Sequence, residues 1–415
     1  MDIKLRLKFL SFLQLFVWGS YLTSFGSYLF VSLKFSGMQI GTVFSTLGLG
    51  SLFMPALLGI VADRFLNAEK VLGICHFLSA ILLIWASTVT DADQMFWVML
   101  LVAMFYMPTL ALNNSVSYTI LKQNNFNIIK EFPPIRVWGT IGFICAMWVV
   151  DLLGWTLSKN QLYVAVVSGI VLAIYSFSLP KCPPSNKTER KTLVSTLGLD
   201  AFVLFKQPKI AIFFIFAMLL GAALQVTNMI GQDFLGDFSK IEAYKNSFAV
   251  QHPGILMSVS QISETLFILA IPYFLYKFGI KKVMLISMIA WVFRFGLFAI
   301  GDPNTGLPLL ILSMIVYGMA FDFFNISGSL FVEKETDSKI RSSAQGLFMM
   351  MTNGLGAIIG AKGCGFVVDY FTVNGQKDWR SIWFTFAAYA LVLAVTFPFI
   401  FKYKHNVQDL KNNSH

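Results

Sequence analysis

Two carboxylates stand inside long apolar runs of this sequence, Glu264 in SVSQISETLFI and Asp322 in YGMAFDFFNISG. A charged group near the centre of a bilayer costs roughly 2.5–3.5 kcal/mol even on lenient insertion scales, so an acid retained there is a candidate for handling solute or protons. Arg136, Arg294 and Lys362 are cations in similar surroundings. Helical spacing groups neutral polar and aromatic residues with them. Gln225 and Asn228 are three apart, as are Gln261 and Glu264. Tyr317, Phe321 and Asn325 follow at steps of four, and Arg136, Thr140 and Phe143 at steps of four and three. Amides and carboxylates match the hydroxyls and ring nitrogens of an uncharged polar solute, while Phe and Tyr offer faces to a flat ring or a sugar. On chemistry alone, a sugar or a nucleoside fits best. The bland alternatives are helix-to-helix amide bonds and a buried ion pair of either acid with Arg136 or another cation. Arg294 and Lys362 fall toward the outer ends of their runs, where long side chains are expected to snorkel to the interface.

Proton coupling requires a carboxylate whose protonation differs between two access states. Asp322, with Phe321, Phe323 and Phe324 beside it in sequence, is the first choice. Glu264 is better placed to accept hydrogen bonds from solute, and Arg136 could hold either acid ionised.

Only an apolar scaffold can position such groups. Of 415 residues, 56% are hydrophobic and 13% charged, against about 25% charged in soluble domains, and the mean hydropathy is +0.70. So many apolar residues cannot all be buried in a water-facing globule and must face lipid. With about 20 residues per span, twelve spans are expected, the first over about 9–33 and the last over about 381–401. The opening MDIKLRLKFLSF has a charged start, but its apolar run continues without a small-residue cleavage site, so it is expected to remain as the first helix. About 22 Lys and Arg fall on one side of this topology and 6 on the other, which puts both termini and the middle loop in the cytoplasm. That asymmetry accounts for the net charge of +10, and no nucleic-acid partner is expected.

The two halves echo each other. GIVADRFLNAEKV after the second span is matched by PYFLYKFGIKKV after the eighth, and FPPIRVWGTIG after the fourth by SKIRSSAQG after the tenth. The expected architecture is an all-α membrane protein of two pseudo-symmetric six-helix bundles, residues 1–180 and 208–401, joined by a cytoplasmic loop at 181–207 and followed by a tail at 402–415. This is the layout of a secondary transporter whose halves rock about a central site. Gly48, Gly50, Gly139, Gly142, Gly356 and Gly360 are expected to allow close helix packing. Other chemistries lack their motifs. Cys75, Cys145, Cys182 and Cys364 are far apart, and GAIIGAKGCG does not have P-loop spacing. With HExxH, GxSxG and GxGD also absent, neither a metal site, a cofactor nor an enzymatic reaction is expected.

The strings KFLSFLQLFVWGSYLT, FMPALLGIVADR, FPPIRVWGTIGFI, AIFFIFAMLLGA, MSVSQISETLFILAIPYF, FDFFNISGS and SAQGLFMMMTNG resemble the nucleoside:proton symporters of the major facilitator superfamily, from the first span through the eleventh. The resemblance implies twelve transmembrane helices in the major facilitator fold. It also implies import of nucleosides such as uridine and adenosine, driven by an inward proton gradient through alternating access in a bacterial inner membrane. The family's solute site matches Arg136, Thr140, Phe143, Gln225, Asn228, Gln261, Glu264, Tyr317 and Phe321, with the acid at Asp322 close by. Asp322 and Arg136 are then the expected coupling groups, with Glu264 a rival. GIVADRFLNAEK keeps the Asp-Arg of the superfamily's signature loop but not its full run of basic residues. Asp63 and Arg64 there are expected to latch helix ends, a gating role. A monomer is expected. The alternative is a proton-coupled sugar or xanthosine permease of the same fold.

Overall fold

The computed structural model describes residues 2–184, 199–337 and 340–403. Residues 185–198 of the expected central loop and 404–415 of the expected tail lie outside the described residues. The chain is built almost entirely of helices. In the first half these are α1 (Ile3–Gly19), α2 (Gly37–Arg64), α3 (Ala68–Ala86), α4 (Ala92–Gln123), α5 (Ile128–Leu152) and α6 (Asn160–Phe177). The second half begins with α7 (Pro208–Asp237). The run Pro253–Ile300 is two helices, α8 (253–278) and α9 (280–300), bent at Gly279, whose φ of 77° only glycine adopts readily. Then come α10 (Leu307–Ala320 and Asp322–Glu335), α11 (Arg341–Met349, continuing through Gly356 to Tyr370) and α12 (Trp379–Ile400). A two-residue hairpin, β1 (Thr372–Val373) with β2 (Gln376–Lys377), precedes α12. Its turn is Asn374-Gly375, both at positive φ, the pair that a tight hairpin favours.

Among the described residues, ten helical runs are each long and apolar enough to cross a membrane. Separating α8 from α9 and adding the first helix gives twelve. The first helix differs from the continuous span expected over 9–33: it stops at Gly19, turns through Ser20–Ser24, and resumes at Phe25–Ser27 and in a π-helical turn, Tyr28–Ser32. Its hydroxyls offer the backbone and a neighbouring helix alternative partners. Ser20 donates back to the Phe16 carbonyl (2.8 Å), and Ser24 donates to Gln161 Oε1 on α6 (2.8 Å).

The helices start where side chains can take up free N–H groups. Ser36 and Gln39 form a reciprocal capping box on α2, and Asp91, Asn127 and Asp378 cap α4, α5 and α12. At Asp378, the Ser381 hydroxyl and N–H both donate to the carboxyl and hold it below the usual carboxylate range.

The chain divides into two compact units. One takes the residues up to 184 together with Asn228–Asp233; the other takes 199–Thr227 and the residues from Phe234 onward. In the first unit α1 packs on α5, α2 on α4 and α3 on α6. A Cβ at Gly142 of α5 would lie 2.1 Å from the Phe12 carbonyl oxygen of α1, so only glycine permits that approach. In the second unit α7 meets α11 in the same manner, with a Cβ at Gly221 falling 2.1 Å from the Thr352 carbonyl oxygen. Gly139, Gly356 and Gly360 also sit at such contacts, as the sequence suggested. Inside the first unit a buried polar network ties α1, α3 and α4. Gln14 Nε2 donates to Thr109 Oγ1 (2.8 Å), Gln14 Oε1 lies 2.9 Å from His76 Nε2, and the Tyr106 hydroxyl donates to the Gln14 carbonyl (2.8 Å).

Candidate functional site

The second unit contains a polar cluster built by three consecutive helices, α8 to α10. On α8, Gln261 and Glu264 are half-buried and one turn apart. On α10, Tyr317 and Asp322 are buried, 5% and 6% exposed. Their helices are held together by Ser263, whose hydroxyl donates to the Ile315 carbonyl. Gly318 opposes Ser263, and a side chain there would collide with the serine oxygen. Glu264 and Asp322 both lie within electrostatic reach of the Tyr317 hydroxyl. On α7, Gln225 is buried, and its Oε1 makes no hydrogen bond among the described residues. Such an oxygen is costly to bury and suited to accepting a bond from a hydroxyl or ring N–H.

The regular spacing expected for Tyr317, Phe321 and Asn325 is interrupted. The helix breaks at Phe321 and restarts at Asp322, so the acid opens the second half of α10. The physical reason lies on α9. The Ser287 hydroxyl donates to the Ala320 carbonyl at the break, and a side chain inserted into the backbone ladder is a common cause of such kinks. A carboxylate in the first turn of a helix segment also faces its favourable dipole end. Phe321 and Asn325 are half-buried.

Arg294 departs from its expected position. It does not snorkel: it is 0% exposed. Its guanidinium carbon lies 4.3 Å from the Phe298 ring centroid and 5.1 Å from that of Tyr317. Nη1 donates to Ser313 Oγ at 3.4 Å, and the Ser313 hydroxyl donates back to the Arg294 carbonyl at 2.7 Å. Trp291 closes another side of Tyr317, edge to face at 5.9 Å. Sequence reasoning underrated Arg294 because its place along the helix resembled an interfacial one. The available signal was its spacing: Trp291 lies one turn before it and Phe298 one turn after, forming an aromatic stripe along one face. Lys362 is exposed.

In the first unit, Arg136 is exposed, Thr140 half-buried and Phe143 buried. All three lie on α5, where Phe143 is fixed by Gly19 of α1: a Cβ on that glycine would meet the Phe143 backbone oxygen at 2.6 Å and the ring at 3.0 Å. Asn228, half-buried, belongs to this unit, whereas Gln225 belongs to the other. Asp63 and Arg64 are exposed in the last turn of α2. Ion pairs link helix ends within each unit: Lys4 to Glu131 (2.8 Å) in the first, and Lys209 to Glu335 (2.6 Å) and Arg341 to Glu333 (2.9 Å) in the second. Among the described residues, no cluster of His, Cys, Asp and Glu is arranged to hold a metal ion.

Comparison with known proteins gives this arrangement a context. The xanthosine permease of Escherichia coli (strain K12) is 55% identical over 415 residues, covering 100% of this chain and 99% of that protein. Nucleoside permease NupG of the same organism is 56% identical over 406 residues, covering 98% and 97%. A crystal structure of the nucleoside transporter NupG matches with a TM-score of 0.92 at 56% identity, over 97% of this chain and 100% of that one. The fold is therefore the twelve-helix major facilitator fold, and these relatives are transporters. The profile of the family described as Nucleoside H+ symporter matches residues 1–406. With close relatives aligned over nearly its whole length, the chain belongs to the nucleoside H+ symporter family.

Proposed function

We infer that this chain is a secondary active transporter that imports nucleosides together with protons. The match of the symporter family over residues 1–406 carries the reading. The buried acceptor on Gln225, the amide and acid on α8, and the aromatic and acidic groups on α10 are the chemistry that a ribose and a base require.

The finer assignments are our proposal. Gln225, Asn228, Gln261 and Glu264 hydrogen-bond the ribose and base. Phe143, Tyr317 and Phe321 supply aromatic contact, and Arg136 and Thr140 add polar contacts from α5. Asp322 and Arg136 carry the proton coupling, with Glu264 as the rival acid. Asp63 and Arg64 latch the end of α2 during alternating access. Residues 1–180 and 208–401 act as the two moving halves, linked by 181–207, with a tail at 402–415. Uridine and adenosine are representative substrates. The transporter works as a monomer in a bacterial inner membrane with both termini cytoplasmic; the excess of Lys and Arg in the loops on that side supports this orientation.

The test is uptake of labelled uridine by proteoliposomes given an inward proton gradient. Accumulation above the external concentration, abolished by a protonophore and competed by other nucleosides, is the expected result. Gradient-independent equilibration, or accumulation of a disaccharide in place of uridine, would refute the reading. The 55% identity to a xanthosine permease favours one second reading, a preference for xanthosine. It predicts that unlabelled xanthosine outcompetes uridine in the same assay.

A further inference from the structure

None of the expected solute contacts stands on α9, yet one face of that helix is given over to α10. Ser287, Trp291, Arg294 and Phe298 follow at steps of four, three and four, which puts them along one side of a helix. The Ser287 hydroxyl donates to the Ala320 carbonyl. Trp291 stands at 89° to Tyr317, with the ring centroids 5.9 Å apart. The Arg294 guanidinium carbon lies 5.1 Å from the Tyr317 centroid and 4.3 Å from that of Phe298. Phe298 is fixed in turn against Phe234 of α7 and Trp383 of α12, at 5.3 Å and 5.0 Å. Packed rings and one guanidinium thus run without a gap from α7 and α12, through α9, to the Tyr317 ring.

Arg294 is costly where it stands. It is 0% exposed, Nη1 makes one long hydrogen bond, 3.4 Å to Ser313 Oγ, and Nε and Nη2 make none among the described residues. Hydrogen bonding does not offset the burial of such a charge. The rings beneath it do, because a desolvated cation is drawn to an aromatic face. Tyr317 needs a support of this kind. The second torsion of a tyrosine is broad, and the α10 backbone breaks at Phe321, one turn beyond it. A planar cation over the ring and an indole at right angles to it supply the direction that neither its torsion nor the following turn of helix sets.

We propose that Arg294 is a positioning residue for solute binding: together with Trp291 it clamps the Tyr317 ring in the orientation that meets the nucleoside. The proposal rests on the reading of Tyr317 as an aromatic solute contact. The guanidinium itself touches no solute. A ring already held in place adds affinity, because the freedom that binding would otherwise remove is lost beforehand. Ser313 seats the clamp, its hydroxyl donating to the Arg294 carbonyl at 2.7 Å while accepting from Nη1. Loosening the clamp therefore raises KM for uridine and leaves the maximal rate of transport in place.

The experiment measures KM and maximal rate per molecule for uridine uptake in proteoliposomes, comparing wild type, Arg294→Met, Tyr317→Leu and the double variant. Methionine keeps the length of the side chain and removes its plane and charge, an exchange that the fold of a protein with a buried cation commonly tolerates. Arg294→Met should raise KM about tenfold, the scale of a desolvated cation–π contact, with the maximal rate kept. In the Tyr317→Leu background the same change should add nothing, because the two residues act as a unit. A wild-type KM in Arg294→Met, a loss confined to the maximal rate, or a further rise of the same size in the Tyr317→Leu background overturns the proposal. Where uptake by Tyr317→Leu is undetectable, the split between KM and maximal rate in Arg294→Met decides. If Arg294→Met does not accumulate in the membrane, Ser313→Ala decides: a smaller rise in KM at the kept maximal rate supports the clamp, and an unchanged KM overturns it. Failure of the underlying reading is distinct. A wild-type KM in Tyr317→Leu would remove Tyr317 from the solute site and the clamp with it, and a wild type without uridine uptake would refute the nucleoside reading itself.

Discussion

Replacing Gly221 by alanine tests whether backbone-to-backbone packing of α7 on α11 limits the stability of the second unit. The added Cβ would sit 2.1 Å from the Thr352 carbonyl oxygen and 2.8 Å from the carbonyl carbon and Cα of the same residue. A carbon against a carbonyl oxygen rests at about 3.3 Å or more, so the helices must part by about 1 Å. The obstacle is main chain and cannot rotate away as a long side chain would. Overpacking of this kind costs about 1–3 kcal/mol, and the rigid neighbour places this case near the top of the range. Alanine recovers about 1 kcal/mol of helix propensity over glycine, leaving a net loss of about 2 kcal/mol. For a unit of this size, each kcal/mol moves Tm by about 2–4 °C, so Gly221→Ala should melt about 4–8 °C lower. Gly363→Ala on α11 is the control, because nothing lies within 4 Å of its Cβ position; it should melt at or slightly above the wild-type temperature. The assay is loss of the monodisperse detergent-solubilised peak after heating. Equal melting temperatures for Gly221→Ala and wild type, or an equal drop in the Gly363 control, would refute the packing argument.

Other outcomes follow from the site and from the segment around Cys182. Glu264→Gln should weaken uridine binding at least tenfold, the loss of a bond to a charged acceptor being worth about 1.5–3 kcal/mol, whereas Leu219→Ala should not; equal losses in a binding titration would remove Glu264 from the solute site. Asp322→Asn should abolish accumulation against a gradient while sparing uridine exchange, and normal gradient-driven accumulation would exclude Asp322 as the proton carrier. Cys182 donates its backbone N–H to Glu69 Oε2 at 2.8 Å, and burial, reinforced by the charge of Glu69, pushes its thiol up to about 12. Its thiolate is the reactive form, present in roughly one molecule in ten thousand at pH 8. Maleimide labelling of Cys182 should therefore be at least a hundredfold slower in the folded protein than after denaturation, and should rise steadily with pH; equal rates in the two states would contradict the burial.

Much of the molecule was legible from the chain because its signals are local. An apolar run long enough to cross a bilayer identifies itself without reference to any other part of the protein, so twelve spans, the absence of catalytic motifs and the echo between halves could be read directly. The reading of glycines at helix contacts succeeded for a related reason: residues without side chains, repeated at helical spacing in a membrane span, have few uses other than close approach. The pairing of Gln261 with Glu264 on one stretch of α8 was equally a matter of spacing along one helix.

The tertiary structure decided what depends on neighbours from other helices. Whether Arg294 reaches the interface or is buried against Tyr317 and Phe298 is set by the packing of α9 on α10, and position along α9 gives only depth. The even spacing of Tyr317 and Phe321 assumed an unbroken helix, but Ser287, some 30 residues earlier, bonds the Ala320 carbonyl and interrupts it just before Asp322. The first helix likewise ends at Gly19, where Ser20 and Ser24 find other partners. Periodicity records which residues share a face of one helix. Hydrogen bonds and close packing between helices determine where that face turns, and whether a charge on it meets lipid, water or an aromatic ring.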